Sequence, residues 1–234
     1  MSVIQAEDVT KTYRAGDVVV RAIRGVSFKI EAGSFVSFVG PSGSGKSTLL
    51  NLIGCLDHPT SGKLSVLGTD ISTLGRNESA RFRGRNIGFI FQDFNLIPVL
   101  TVYENIEYPL VMVQEWPKRR RHDRVMQLLA AVGMADQVDK RPDQISGGQK
   151  QRVAVARALA PETKIVLADE PTANLDSETA HRVIDLMRQL KTDLGVTFVF
   201  STHDPKIMAE AEIIYHLQDG QVKNVEKVRE AVHA

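Results

Sequence analysis

The chain has 234 residues, 43% hydrophobic and 24% charged, which suits one large globular domain or two small ones and excludes a disordered or collagen-like chain. Lysine and arginine total 29 against 28 aspartate and glutamate, a net charge of +1, so no general electrostatic grip on nucleic acid is expected. The single cysteine, Cys55, excludes an intramolecular disulfide and a multi-cysteine metal site, fits a reducing compartment, and reads as a small buried hydrophobe.

The N-terminus, Met1-Ser2-Val3-Ile4-Gln5-Ala6-Glu7-Asp8, has no basic start and no long apolar run, so no signal peptide is expected. The first third reads as β with turns. Val18–Ala22 and Val26–Ile30 are short β-branched runs, with Ile23-Arg24-Gly25 as a turn between them. Ser34–Val39 is an apolar strand running into the glycine-rich Gly40–Gly45. Lys46–Gly54 reads as a helix that buries Leu49, Leu50, Leu52 and Ile53. Pro59, Ser61 and Gly62 mark a loop, Lys63–Leu67 a strand and Ile87–Phe91 another. The middle is helical: Val102–Met112, Lys118–Val132 and Gly147–Leu159. In the second of these Val125, Leu128, Leu129 and Val132 recur at helical spacing, and Gly133 supplies a stop. The last third alternates again. Ile165–Ala168 is a strand, Ser177 caps a helix to about Leu194, and Gly195 ends it. Val196–Ser201 is a strand, Asp204-Pro205 opens a short helix, and Ile213–Leu217, Asp219-Gly220 and Gln221–Val225 form a hairpin. Strands alternating with helices predict an α/β fold. No apolar stretch approaches the ~18 residues of a membrane span.

Gly40-Pro41-Ser42-Gly43-Ser44-Gly45-Lys46-Ser47 fits the phosphate-loop pattern G-x-x-x-x-G-K-[ST], with a strand before it and a helix after. Glycines let backbone N–H groups turn inward on phosphates, and the helix N-terminus adds a favourable dipole. Lys46 is placed for the β- and γ-phosphates and the Ser47 hydroxyl for Mg²⁺. Alone, such a loop allows kinases, GTPases, motors and ATPases. The strand Ile165-Val166-Leu167-Ala168 narrows this by delivering Asp169 and Glu170 at its carboxyl end, where open α/β sheets bind ligands. Asp169 suits Mg²⁺, and Glu170 suits polarising an attacking water.

Ile145-Ser146-Gly147-Gly148-Gln149, followed by Lys150-Gln151-Arg152, is similar to the signature motif of ABC (ATP-binding cassette) transporter nucleotide-binding subunits, which usually has leucine where Ile145 stands. Ser146 also reads as a helix N-cap. The resemblance runs from about Ile4 to Val222. It implies that Ser146, Gly147, Gly148 and Gln149 bind the γ-phosphate held by a partner subunit, while Gly40, Pro41, Ser42, Gly43, Ser44, Gly45, Lys46, Ser47 and Thr48 wrap the chain's own ATP. Tyr13 resembles the aromatic that stacks on adenine, and Gln92 the Q-loop glutamine that touches Mg²⁺. Ala173-Asn174-Leu175-Asp176 resembles the D-loop of the dimer interface, and His203 the switch histidine facing the γ-phosphate. Glu170, His203 and Gln92 are thus the expected catalytic set, with Ser47, Gln92 and Asp169 on Mg²⁺.

The implied fold is a P-loop core of ABC type with an N-terminal antiparallel β part. The core takes about 1–92 and 161–225, a helical subdomain about 93–160, and a short tail 226–234, too short for a regulatory domain. Ile53-Gly54-Cys55-Leu56-Asp57 and Phe94-Asn95-Leu96-Ile97-Pro98 resemble the branch serving lipoprotein release and macrolide export (the LolD/MacB type). The implied partners are a second cassette and an integral membrane permease, on the cytoplasmic face of the inner membrane, with no nucleic acid. The alternative is a soluble ABC ATPase acting on DNA or ribosomes; the long coiled coil or doubled cassette of those types is not in this sequence. Phe94, Leu96, Ile97, Leu100 and Tyr103 are candidates for a groove that takes a short permease helix, with at least one of Phe94, Leu96 and Leu100 expected to be exposed. Lys118-Arg119-Arg120-Arg121 reads as a solvated helix start, or as a contact for acidic lipid headgroups or an acidic loop.

Overall fold

The computed structural model of the chain describes residues 1–228, and the chain divides into two compact units, one of residues 1–80 with the chain from 197 onward, the other of 81–196. The elements in order are β1 (Ser2–Ala15), β2 (Val18–Glu31), β3 (Phe35–Val39), α1 (Lys46–Ile53), β4 (Ser61–Val66), β5 (Thr69–Asp70), α2 (Arg76–Asn86), β6 (Ile87–Ile90), α3 (Val102–Met112) and α4 (Lys118–Ala131). There follow α5 (Gly147–Leu159), β7 (Ile165–Asp169), α6 (Ser177–Leu194), β8 (Thr197–Thr202), α7 (Pro205–Met208), β9 (Ile213–Gln218) and β10 (Gln221–Lys227). Of the expected tail, Glu226 and Lys227 belong to β10, and 229–234 lie outside the described residues.

The first unit holds an antiparallel sheet in the order β2-β1-β4-β5 and a second group of strands in the order β10-β9-β3-β8. In the latter, β3 runs parallel to both β8 and β9, and β9 turns antiparallel into β10. Every residue of β3 and of β8 is buried, as expected for parallel strands covered on both faces. That is why both read as unbroken apolar runs. Phe35, Phe38, Phe198 and Phe200 are the largest side chains of this core. The β9–β10 turn has Asp219 and Gly220 both left-handed, φ 50 and 74, as a two-residue hairpin of matching twist requires.

One expectation fails here. Ile23-Arg24-Gly25 is not a turn between two strands but part of the continuous β2. The pairs Val9–Val26 and Thr10–Arg24 leave Gly25 unpaired, so the glycine marks a β-bulge. The partner strand β1, the short strand β5 and the helix α2 are additions to the expected elements.

In the second unit β6 and β7 pair in parallel, α5 packs on β6, and α3, α4 and α6 pack against α5. Thr101 caps α3 in a reciprocal box with Glu104. The cap of α6 is Asp176, one residue before the expected Ser177; its carboxylate accepts from the Thr179 N–H at 3.0 Å. Gly195 ends that helix at φ 63. Gly88 on β6 faces α5 so closely that an added Cβ would lie 2.2 Å from the Ala158 carbonyl oxygen. Backbone cannot yield cheaply there, so Gly88→Ala is expected to cost about 1–3 kcal/mol, as overpacking does. Thermal unfolding should show a Tm lower by about 2–4 °C for each kcal/mol; an unchanged Tm would contradict this packing.

Candidate functional site

The candidate residues divide between the two units. In the first, β3 delivers the loop 40–45 and α1 starts at Lys46 with no side-chain cap and no acidic residue in its first turn. Its N-terminal N–H groups therefore suit an anion. The loop is held from behind by two segments. A Cβ on Gly40 would lie 2.1 Å from the Leu217 oxygen, and one on Gly45, at φ 104, 2.7 Å from the Ala22 oxygen. The Gly220 N–H donates to the Ser44 oxygen at 3.1 Å, so the hairpin turn supports the loop. The buried Lys46 ammonium donates to the Gly40 oxygen at 2.7 Å and the Pro41 oxygen at 3.2 Å. Ser44 Oγ is buried with no hydrogen-bond partner among the described residues. A cradle of N–H groups, a buried cation and an orphaned hydroxyl fit the phosphates of a nucleotide.

His203 follows β8 and shares with Gly40 and Pro41 a cleft of about 270 Å³, lined also by Val39, Met208 and His216. Ser47 is exposed at the start of α1. Tyr13 is 40% exposed, and its hydroxyl donates to Asp57 Oδ2 at 2.8 Å. Lys11 pairs with Asp57 as well and lies 4.9 Å from the Tyr13 ring centre. Burial raises the Tyr13 pKa, helped by the Asp57 carboxylate. Burial alone would raise the Asp57 pKa too, but hydrogen bonds from Lys11 and Tyr13 hold it below the usual carboxylate range. Lys11 and Asp57 hold the tyrosine in place; Asp57 closes the Ile53–Asp57 stretch quoted above, while no sequence signal marked Lys11 or the contact itself. Cys55, two residues before Asp57, is buried as expected, with left-handed backbone at φ 54.

In the second unit β7 ends at Asp169, and Glu170 follows with φ 47. A left-handed glutamate is unfavourable by about 1–3 kcal/mol, and such strain gathers where side-chain direction matters. Its carbonyl accepts from the Ala173 N–H at 3.2 Å, closing a turn after the carboxylates. Ser146 caps α5 as expected, in a box with Gln149: the Ser146 N–H donates to Gln149 Oε1 at 2.8 Å, and the Gln149 N–H to Ser146 Oγ at 3.3 Å. Gly148 lies so close to α6 that a Cβ would come within 2.4 Å of the Thr179 methyl. Gln92 is exposed, and its carbonyl accepts from Asn174 Nδ2 at 3.1 Å.

Phe94, Leu96, Ile97, Leu100 and Tyr103 are all half-buried, so the expectation of an exposed side chain among Phe94, Leu96 and Leu100 is not met, although none of the three is fully covered. The open residue is Val99, at 72% exposure, which the sequence did not single out. Buried Asn105 shapes this stretch: its amide donates to the carbonyls of Ile97, Leu100 and Thr101 and accepts from the Ile97 N–H. The basic run is partly tied down. Arg120 stacks 3.6 Å over Trp116 and pairs with Glu162, and Arg121 pairs with Glu107 at 2.9 Å.

A phosphate loop between a buried parallel strand and an uncapped helix defines a P-loop nucleotide-binding protein. The family model described as ABC transporter matches residues 23–173. An uncharacterized ABC transporter ATP-binding protein of Thermotoga maritima is 45% identical over 96% of this chain and 95% of its own length. The macrolide export ATP-binding/permease protein MacB of Rhodopirellula baltica is 43% identical over 94% of this chain, which spans 32% of that protein. Among solved structures, a dimeric post-hydrolysis state of the ATP-binding cassette MJ0796 (a protein of Methanocaldococcus jannaschii), bound to ADP and Pi, superposes with a TM-score of 0.88 at 42% identity over 97% of this chain and 99% of that one. The chain belongs to the ABC transporter family, as an ATP-binding subunit and an ATPase by class. These relatives point to transport rather than to nucleic acid or ribosomes. No helix among the described residues is long and apolar enough to cross a membrane.

Proposed function

We propose that the chain hydrolyses Mg-ATP to drive export or extraction of a substrate through a separate membrane permease. Two copies close head to tail over two nucleotides at the cytoplasmic membrane face. The phosphate loop carries this reading, with its orphaned Ser44 hydroxyl and buried Lys46. The MacB relative, which is named as ATP-binding protein and permease together, supports a permease partner.

ATP supplies the transferable γ-phosphoryl group, and Mg²⁺ neutralises charge on its oxygens. The N–H groups of 40–48 and the Lys46 ammonium bind the phosphates, and the open Tyr13 ring stacks on the base. Ser47, Gln92 and Asp169 suit Mg²⁺ because all three offer oxygen donors, the ligands this hard cation takes. Glu170 orients the attacking water and takes its proton, and His203 contacts the γ-phosphate. Ser146, Gly147, Gly148 and Gln149 receive the nucleotide held by the partner copy, at the N-terminus of α5. The half-buried stretch from Phe94 to Tyr103 forms the groove for the permease.

Steady-state phosphate release from ATP tests this reading. Turnover should require Mg²⁺ and stop when a chelator is added. Turnover that persists without divalent cation would remove Ser47, Gln92 and Asp169 from their roles, and absence of turnover with Mg-ATP would overturn the proposal.

A further inference from the structure

The segment that carries Gln92 is gripped by two side chains, Arg157, to which no role has been given, and Asn174, which lies in the stretch that resembles the D-loop. Phe94 and Asn95 both have left-handed backbone, with φ 61 and 48. Two such residues in succession, neither of them glycine, persist only where the surroundings hold them. Arg157, near the end of α5, supplies the hold. Its Nη2 donates to the Phe94 oxygen at 2.8 Å and its Nη1 to the Asn95 oxygen. The planar guanidinium fork thus spans two successive carbonyls, which a lysine ammonium cannot do with the same geometry. Burial pulls the Arg157 pKa below the usual arginine range, so the side chain has given up water to make this contact.

Asn174 grips the same segment one step earlier. Its Nδ2 donates to the Gln92 oxygen at 3.1 Å and to Asp93 Oδ1 at 2.9 Å. The start of α5 touches the same place: a Cβ on Gly147 would lie 3.4 Å from Leu175 Cδ2 and 3.9 Å from Phe94 Cζ. Residues 92–95, 174–175 and the two ends of α5 therefore form one contiguous contact set within the second unit.

We infer that Arg157 and Asn174 are positioning residues for ATP turnover, clamping the backbone of 92–95 so that Gln92 is presented in one geometry and the segment shifts together with α5. This rests on the reading of Gln92 as a Mg²⁺ contact. Both side chains hold the backbone of 92–95 and so act through Gln92. The clamp also lies directly ahead of the groove residues Leu96–Leu100, so movement of α5 reaches that surface through the Arg157 guanidinium.

The test uses the whole chain with Arg157→Lys, Asn174→Ala and Gln92→Ala, singly and combined. Arg157→Lys keeps the charge and the aliphatic stem but loses the fork. Its kcat should fall about tenfold, with KM for ATP within about twofold of wild type and a higher Mg²⁺ concentration needed for half-maximal rate. Amide exchange of 93–97 should quicken while the phosphate loop keeps its protection. Adding Arg157→Lys to Gln92→Ala should cost little more, because residues that act as a unit are not additive. A kcat within about twofold of wild type for Arg157→Lys overturns the clamp, as does a full multiplicative loss in the double variant. That second result leaves the Gln92 reading intact. A silent Gln92→Ala overturns that reading and the clamp with it. Should Arg157→Lys lose its helical signal, Asn174→Ala, an exposed site, carries the same comparison.

Discussion

Glu170→Gln is expected to be nearly inactive and to form a stable dimer in ATP, where the wild-type chain dimerises only in passing. Glutamine has the size and shape of glutamate, so the left-handed backbone at φ 47 and the turn to Ala173 should survive the change. The groups assigned to binding are untouched. Lys46, Ser47 and Asp169 remain, and so does the Ser146–Gln149 cap of α5. What is lost is the carboxylate that orients and deprotonates water, a contribution of about 10²–10⁴-fold. Removing a negative charge also lessens repulsion with the γ-phosphate, which favours the closed pair. Size-exclusion runs with and without Mg-ATP read the dimer, and phosphate release reads the chemistry.

A second substitution separates dimer closure from nucleotide binding. Ser146→Arg removes the cap hydroxyl of α5, worth about 1 kcal/mol, and puts bulk and charge where the partner's nucleotide is proposed to sit. The double variant should return to monomer while still binding ATP. A Glu170→Gln chain that stays monomeric at saturating ATP would sink the sandwich, and one that turns over at the wild-type rate would sink the role given to Glu170.

The parts of the fold that were legible are those where burial leaves a mark on residue type. β3, β7 and β8 are covered on both faces, and their apolar runs end within a residue or two of the observed strands. The helices α3 and α5 match their expected spans, because capping chemistry at Thr101 and Ser146 coincides with the start of an apolar face. α2 was invisible for the opposite reason. Ser79 is the buried residue assigned to it, so Arg76–Asn86 offers no apolar period to read. β1 was hidden by polar residues along its length and by a bulge at Asp8, φ 47, which breaks its alternation. The Gly25 bulge misled in the same way, since a glycine between two β-branched runs looks like a turn until the partner strand is known.

The same distinction holds at the site. The phosphate loop, the two carboxylates and the signature are local in sequence, so spacing alone exposes them. The supports are not local. Gly220 donating to the phosphate loop, Asp57 anchoring Tyr13, and Arg157 reaching back to Phe94 join residues far apart in the chain. Each uses a residue type that is unremarkable where it stands. Only the folded geometry tells a surface arginine from one that grips two carbonyls.

Lys46→Ala is expected to abolish or severely weaken ATP binding while the fold survives. The ammonium is buried in the loop and donates to the Gly40 and Pro41 oxygens. It sits at the first residue of α1, where the uncapped helix end already favours anions. A hydrogen bond to a charged group is worth about 1.5–3 kcal/mol, so losing this one should weaken ATP binding by roughly tenfold to more than a hundredfold. The strands and helix that carry the loop do not depend on the ammonium, because β3 is buried by its neighbours and α1 by Leu49, Leu50, Leu52 and Ile53. Thermal unfolding gives both answers in one experiment. ATP at about a hundred times its dissociation constant should stabilise the wild-type chain by about 2.7 kcal/mol. The Lys46→Ala chain should unfold within a few degrees of wild type without nucleotide, and the same ATP should stabilise it by about 1.4 kcal/mol or less. Lys46→Met, which fills the space without the charge, should behave like Lys46→Ala if the charge matters, and like wild type if packing does. Equal ATP affinity for Lys46→Ala and wild type would remove the phosphate loop from the mechanism.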